Sequence, residues 1–288
     1  MINYTAHVYR LMEDIVARVP ALSLIDVGSV LVFGRLGRAS THGAYATCHS
    51  LMVPDTEPGY YFWRDRRTGH LTRRSEWFVT RSPQVRVGAR RISHLISMSL
   101  PRFCDQTLTG TRKEDLYPDG PDWVAKLDTI VHELYHVDPH EGGIRTGIKA
   151  DGRPSSLTHT PQFFRDVARM VREYLASRPA PEICDFLALN FDALQRRHGG
   201  VTGATFRGYP SFPQRYRERL TSQPRAPRVA QVVPLPERAH RRAYAESDLQ
   251  VRQFLPRSAR LIAQPSAITP ERGIHPHTRL VPALAAHR

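Results

Sequence analysis

Three observations predict an α+β fold with a small, mostly antiparallel sheet. A helical hydrophobic pattern opens the chain. A run of short strand-like segments follows it. A second amphipathic helix, carrying His132-Glu133-Leu134-Tyr135-His136, comes after the strands. A run of strands placed between helices belongs to the α+β architectures.

Residues 4–19 read as the first helix, because Val8, Leu11, Met12, Ile15, Val16 and Val19 recur on one face. Residues 29–33 form an apolar run that predicts a strand ended by Gly34, and residues 44–52 predict a second strand. Residues 59–63 and 76–79 are aromatic strands separated by a turn signal at 65–70. Residues 92–100 form a further strand, with period-two character in the second half and Pro101 at its end. The part at 96–100 is a candidate edge for holding an extended peptide by strand addition, or else an ordinary interior strand.

The helix that follows begins after Gly120-Pro121-Asp122 and stops before Pro139, which disfavours helical geometry at Asp138. Trp123, Val124, Leu127, Ile130, Val131 and Leu134 make its core face, opposite His132 and His136. The sequence H-E-x-x-H is the pattern of a zinc-dependent hydrolase. Two imidazoles four residues apart lie on one side of a helix and reach one ion. Glu133 is turned about 100° from His132, which places its carboxylate beside the metal, able to reach a bound water without having to bind the metal itself. Asp128 lies one turn before His132 and is expected to be solvated, or else to orient a ligand ring. Tyr135 is expected in the core.

A catalytic zinc usually takes three protein ligands and keeps one position open. Asp138, His140, Glu141, His159, Asp166 and Glu173 are candidates for the third ligand. His140 lies beyond the helix-breaking Pro139. His159 is best placed, because Thr160-Pro161 directly after it supply an N-cap and a first helical residue. The helix they start buries Phe163, Phe164, Val167, Met170, Val171, Tyr174 and Leu175 on one face, which makes a rigid junction.

H-E-x-x-H, then a loop containing Gly142, Gly143, Gly147 and Gly152, then His159-Thr160-Pro161-Gln162-Phe163, resembles the SprT-like and phage-type metallopeptidases. Those proteins carry a His just before the helix that follows the motif. Thr160 stands where that family commonly has Gly. The likeness covers residues 1–178 in element order and 129–175 in motif. It implies a zincin-like fold and a zinc ion. It also implies His132, His136 and His159 as metal ligands, Glu133 as general base, and a protein or peptide substrate.

The chain of 288 residues has room for one or two domains. Its composition suggests three parts: a metallopeptidase domain at 1–178, an appended segment at 179–222, and an Arg/Pro-rich tail at 223–288 expected to be largely disordered. Within the last two parts, 186–194 reads as a short helix, 206–216 as loop, 229–233 as an apolar patch and 243–255 as a helix. The net charge is +14, and of the 41 basic residues only Lys113, Lys126 and Lys149 are Lys. Such a surface favours DNA or RNA, through the tail or through Arg64, Arg66, Arg67, Arg73 and Arg74 among the aromatic strands. The expected form of those strands is a hairpin with rings inward and Arg outward. A nucleic-acid-associated protein with a structural or degenerate metal site, or one acting on DNA-bound proteins, is therefore the alternative reading. Cys48, Cys104 and Cys184 are odd in number and lack C-x-x-C spacing, which argues against a disulfide framework and fits a reducing, cytoplasmic setting. Glu13 and Asp14 interrupt the first apolar run, so it does not read as a signal peptide, and no apolar run reaches membrane-spanning length.

Overall fold

The computed structural model describes residues 1–37, 43–51, 60–64, 71–79, 85–140, 143–145, 159–206, 215–217 and 245–263; at 60–64, 71–79 and 215–217 it describes the backbone alone. Its elements run β1 (Ile2–Asn3), α1 (Tyr4–Arg18), β2 (Val30–Gly37), β3 (Ala46–Ser50), β4 (Tyr60–Arg64), β5 (Leu71–Val79), β6 (Val85–Val87), β7 (Arg90–Ile92) and β8 (His94–Pro101). They continue with α2 (Val124–Tyr135), α3 (Pro161–Ala176), α4 (Pro181–Cys184), α5 (Phe191–His198), β9 (Val201–Phe206), β10 (Arg215–Arg217), β11 (Leu249–Phe254) and β12 (Ala259–Ala263). The fold is α+β. Its strands form several small sheets rather than one; six of the eight pairings among the described strands are antiparallel, as expected, and the parallel pairs β1–β9 and β2–β8 make two of the sheets mixed.

The central layer is the sheet β2-β8-β3. Strand β8 pairs in parallel with β2, from Val30↔His94 to Gly37↔Pro101, and antiparallel with β3, from Ala46↔Met98 to Ser50↔His94. Every residue of β8 is buried. Both of its edges are occupied, so residues 96–100 cannot take an added strand; among the described strands the edges of this sheet are β2 and β3. Alternation along β2 and β8 splits the interior into two cores. Val30, Val32, Ile96, Met98 and Leu100 face the helices. Leu31, Phe33 and Leu95 face Phe206, Leu249 and Val251 of the sheet β1-β9-β11-β12.

Local signals set the helices. Asn3 caps α1 by accepting from the Ala6 amide at 3.2 Å, and α1 buries Tyr4, Val8, Leu11, Met12 and Ile15. Pro20 holds Val19 in extended geometry and ends it. Helix α2 buries Val124, Leu127, Ile130, Val131 and Leu134 and packs against α1, α3 and β3. Thr160 caps α3, its hydroxyl accepting from the Phe163 amide at 3.2 Å, and Pro161 is the first helical residue.

Several sequence expectations change. Strand β2 runs through Gly34 because a Cβ there would lie 2.6 Å from the Phe254 ring; the glycine leaves room for a side chain from far along the chain. The helix expected at 186–194 is a 3-10 turn at Asp185–Ala188 followed by α5, which Asn190 caps. The helix expected at 243–255 is strand β11, paired along its length with β9, itself not anticipated. Residues of β11 are buried on both faces, and that removes the alternation that would mark a strand. The core also runs through residue 178: Phe186, Leu187, Phe191, Leu194 and Phe254 belong to the same cluster as Leu11 and Val131. The hairpin β4–β5 forms, with β10 added to β5. Its turn at 65–70, Arg66 and Arg67, the patch at 229–233 and most of the tail lie outside the described residues. No described helix is long and apolar enough to cross a membrane, and the three cysteines are unbridged.

Candidate metal centre

Helix α2 presents His132 and His136 one turn apart, and the residue before the α3 cap presents His159. The three Nε2 atoms form a near-equilateral triangle: His132–His159 is 3.0 Å, His136–His132 is 3.1 Å and His136–His159 is 3.0 Å. An imidazole nitrogen offers one proton or one lone pair, directed along the ring plane. Three such atoms cannot all hydrogen-bond to one another, but three lone pairs can converge on a cation. Among the described residues these histidines are the group placed to hold a metal ion.

Burial prepares them for that role. It pushes His132 down to about 2, helped by His136, His159, Lys113 and Arg112. It pushes His136 down to about 4, helped by His159 and Arg145, and lowers His159, helped by Arg112. All three are neutral at neutral pH, the form that binds metal. Phe163 packs against the three rings, with centroids 5.0 Å from His132, 4.8 Å from His136 and 5.4 Å from His159. Phe164 lies nearly parallel to His159 at 5.7 Å. The sequence marked both phenylalanines as core; their position four and five residues after His159, on one α-helical turn, is what turns them toward the ligands.

Glu133 is 5 % exposed. Burial pushes its carboxyl up to about 8, while the Cys48 backbone N–H, Lys113 and Arg35 pull it down. A cation among the imidazoles would lower it further. The other ligand candidates are engaged elsewhere or lie apart from the cluster. Asp138 accepts from the His140 amide at 2.9 Å, Asp166 accepts from Gln162 at 3.0 Å, and Glu173 pairs with Arg169 at 3.3 Å. Glu141 lies outside the described residues.

Asp128 corrects an expectation. It is buried rather than solvated, and it does not serve a ligand ring. It pairs with Lys113 at 2.7 Å and accepts from the Tyr117 hydroxyl at 2.7 Å. The Lys113 ammonium also donates to the Ala125 carbonyl at 2.9 Å and to Thr129 Oγ1 at 2.6 Å, so its three protons are all used. Tyr135 lies between Phe163, at 5.0 Å, and the Arg145 guanidinium, at 4.6 Å. His136 Nδ1 is buried without a partner among the described residues.

The turn after α2 folds back on the helix. Val137 bridges Ile144, and the Arg145 amide donates to the His136 carbonyl at 2.7 Å. Buried His94 of β8 fixes this turn through Nε2 to the Gly143 carbonyl at 2.9 Å. A carbonyl only accepts, so Nε2 carries the proton. A cleft of about 540 Å³ opens at the triad, and its lining includes Ala46, Thr47 and Cys48 of β3 together with Arg112 and Lys113. The sequence reading named Lys113 but not its part in the site. The available signal was its type: in a chain whose default base is Arg, Lys113 and Lys126 each send an ammonium into a pocket of converging oxygens, Lys113 to one carbonyl, a hydroxyl and a carboxylate, and Lys126 to the Leu187 and Leu189 carbonyls at 2.8 and 2.9 Å. A flat guanidinium fits such a pocket poorly.

Comparison with protein-family models, with curated proteins and with solved structures returns no match, so the geometry of the three imidazoles and Glu133 carries the functional argument by itself.

Proposed function

We propose that this protein is a zinc-dependent peptidase of the zincin type, akin to the SprT-like metallopeptidases. The observation that carries the reading is the triangle of Nε2 atoms, 3.0–3.1 Å on a side, next to a buried carboxyl. Tetrahedral zinc with bonds of about 2.0–2.1 Å keeps its ligand nitrogens about 3.3 Å apart. The triangle is close to that size, and an all-nitrogen donor set suits zinc. His132, His136 and His159, which line the cleft, would hold the ion as three protein ligands.

When bound, zinc lowers the pKa of a coordinated water and polarises a carbonyl. In this reading Glu133 would accept a proton from the attacking water and return it to the leaving amine. A hydrogen bond from the Cys48 amide favours the charged form of Glu133, the form a general base needs. Strand β3, whose outer edge faces no other described strand, supports an extended substrate by strand addition, in the role the sequence suggested for 96–100. His94 and the Val137–Ile144 bridge keep the turn after α2 close to the second ligand.

The test is Glu133→Gln. The variant keeps about one zinc per chain and loses hydrolysis of an unfolded protein. Loss of zinc would recast Glu133 as a ligand. A second reading, action near nucleic acid, has support from the +14 net charge. Hydrolysis of a DNA-bound protein that rises with added DNA at low salt and falls with salt distinguishes it.

A further inference from the structure

The cleft holds a cation that the mechanism above does not use. Arg112 lines it, with its guanidinium carbon 3.8 Å above the Phe164 ring. That ring lies beside His159, so the guanidinium is one aromatic ring away from the third ligand. Its neighbours in the chain are fixed. Lys113 is bound to Ala125, Asp128 and Thr129, and the Thr111 hydroxyl donates to the Leu108 carbonyl at 2.7 Å.

Arg112 makes no hydrogen bond or ion pair among the described residues, and the nearby carboxylates are committed. Glu114 accepts from the Gly110 amide at 2.9 Å, Asp128 holds Lys113, and Glu133 faces Cys48. Among the described residues Arg112 is thus an exposed cation of the cleft lining with no carboxylate partner. Stacking on Phe164 covers a face of the guanidinium and leaves its N–H edge available. That edge matches a carboxylate with two parallel hydrogen bonds. A backbone carbonyl offers one oxygen and no charge, so it fits less well.

We propose that Arg112 anchors a carboxylate of the substrate and gives the cleft a preference for peptides with a free carboxylate near the bond to be cut. The carboxylate belongs to an Asp or Glu side chain or to the peptide C-terminus. The proposal rests on the peptidase reading for its cleavage consequence but not for its binding consequence, and the two are measured separately.

The binding experiment uses full-length, zinc-loaded Glu133→Gln protein, so that peptides are held and not cut. Three fluorescent Ala/Gly octapeptides are compared by anisotropy: one with a free C-terminal carboxylate, one with a C-terminal amide, and the amide with one internal Glu. At least one carboxylate peptide is expected to bind about tenfold more tightly than the neutral amide, the scale of a charge-assisted bidentate contact at a partly exposed site. Which one gains identifies the source. Adding Arg112→Gln removes the difference and leaves zinc content and neutral-peptide affinity as they were. Arg112→Lys restores it in part, since it keeps the charge without the fork. Phe164→Leu weakens it by taking away the seat. Equal affinities for charged and neutral peptides, or an Arg112→Gln variant that weakens all three alike, would overturn the proposal. Mapping the bonds cut in an unfolded protein by the zinc-loaded wild-type chain then tests the cleavage consequence. Cuts at a fixed distance from Asp, Glu or a chain end support it. Cuts with no such relation refute the preference, and no cuts at all refute the peptidase reading while the binding result still judges Arg112.

Discussion

The Lys113 ammonium lies 2.7 Å from the Asp128 carboxylate, in the interior beside the helix that carries His132 and Glu133. Burial pushes the Lys113 pKa down, and the Asp128 charge opposes that shift. The side chains are 15 % and 5 % exposed, so each charge has little access to water as a substitute partner. Removing one partner of such a pair costs about 3–5 kcal/mol, because the other is left buried and unpaired. Lys113→Met and Asp128→Asn are each expected to lower stability by about 3 kcal/mol in urea unfolding, the lower end of that range because Tyr117 or Thr129 remains as a partner. The double variant Lys113→Met/Asp128→Asn should lose less than the sum. Additive losses would show that the pair contributes little.

The triad predicts metal-dependent stability. At free zinc about 100-fold above Kd, binding stabilises the folded state by about 2.7 kcal/mol. For a domain of this size that corresponds to roughly 5–10 °C in Tm. A chelator is expected to lower Tm by that amount in the wild-type chain, and zinc to restore it. His159→Ala leaves two donors and should abolish the zinc response while keeping the helix signal in circular dichroism. A wild-type Tm indifferent to both chelator and zinc would remove the metal centre.

What could be read from the sequence was what local rules encode. The pattern of Val124, Leu127, Ile130, Val131 and Leu134 set the orientation of α2, and the pair Thr160-Pro161 set the start of α3. Together these put the three histidines in reach of one another. What could not be read depends on partners far along the chain. Strand β8 has the pattern of either an edge or an interior strand, and its two neighbours decide between them. Strand β11 lacks alternation because both of its faces are covered. Asp128 reads as solvated until Lys113 and Tyr117 are brought beside it. Arg112 reads as one Arg among many until Phe164 comes under it.

Phe254 ties the distant β11 into the first half of the chain. Its ring would contact a Cβ at Gly34 at 2.6 Å and one at Gly203 at 3.3 Å, and it is fully buried in the main core. Phe254→Ala is expected to cost about 3–5 kcal/mol through lost burial and the cavity left behind. Gly34→Ala should cost about 1–3 kcal/mol through overpacking. Truncation before residue 245 removes the whole strand, so it should lower Tm and zinc occupancy together. A truncated protein with unchanged melting would show that β11 is dispensable. The same variant cannot be used to assign nucleic-acid binding to the tail unless its fold is checked first.

His7 predicts a pH dependence of stability away from the histidine triad. Its ring lies 5.3 Å from that of Phe186, and burial, with Arg10 and His198 nearby, pushes its pKa down to about 4. In the unfolded chain the same group titrates near about 6.5. Between those values the unfolded state binds the extra proton, so stability rises with pH across the window and is lost as pH falls from about 6.5 toward 4. Replacing the ring by a group that does not titrate removes that slope. His7→Gln should therefore have a flatter stability profile than the wild-type chain between pH 4 and 6.5, measured by urea unfolding in chelator so that the triad contributes equally to both. Above pH 7 the two profiles should run parallel, offset by the packing change alone. Parallel profiles throughout the acid range would mean that His7 charges as readily in the folded protein as in the unfolded one, contrary to its burial against Phe186.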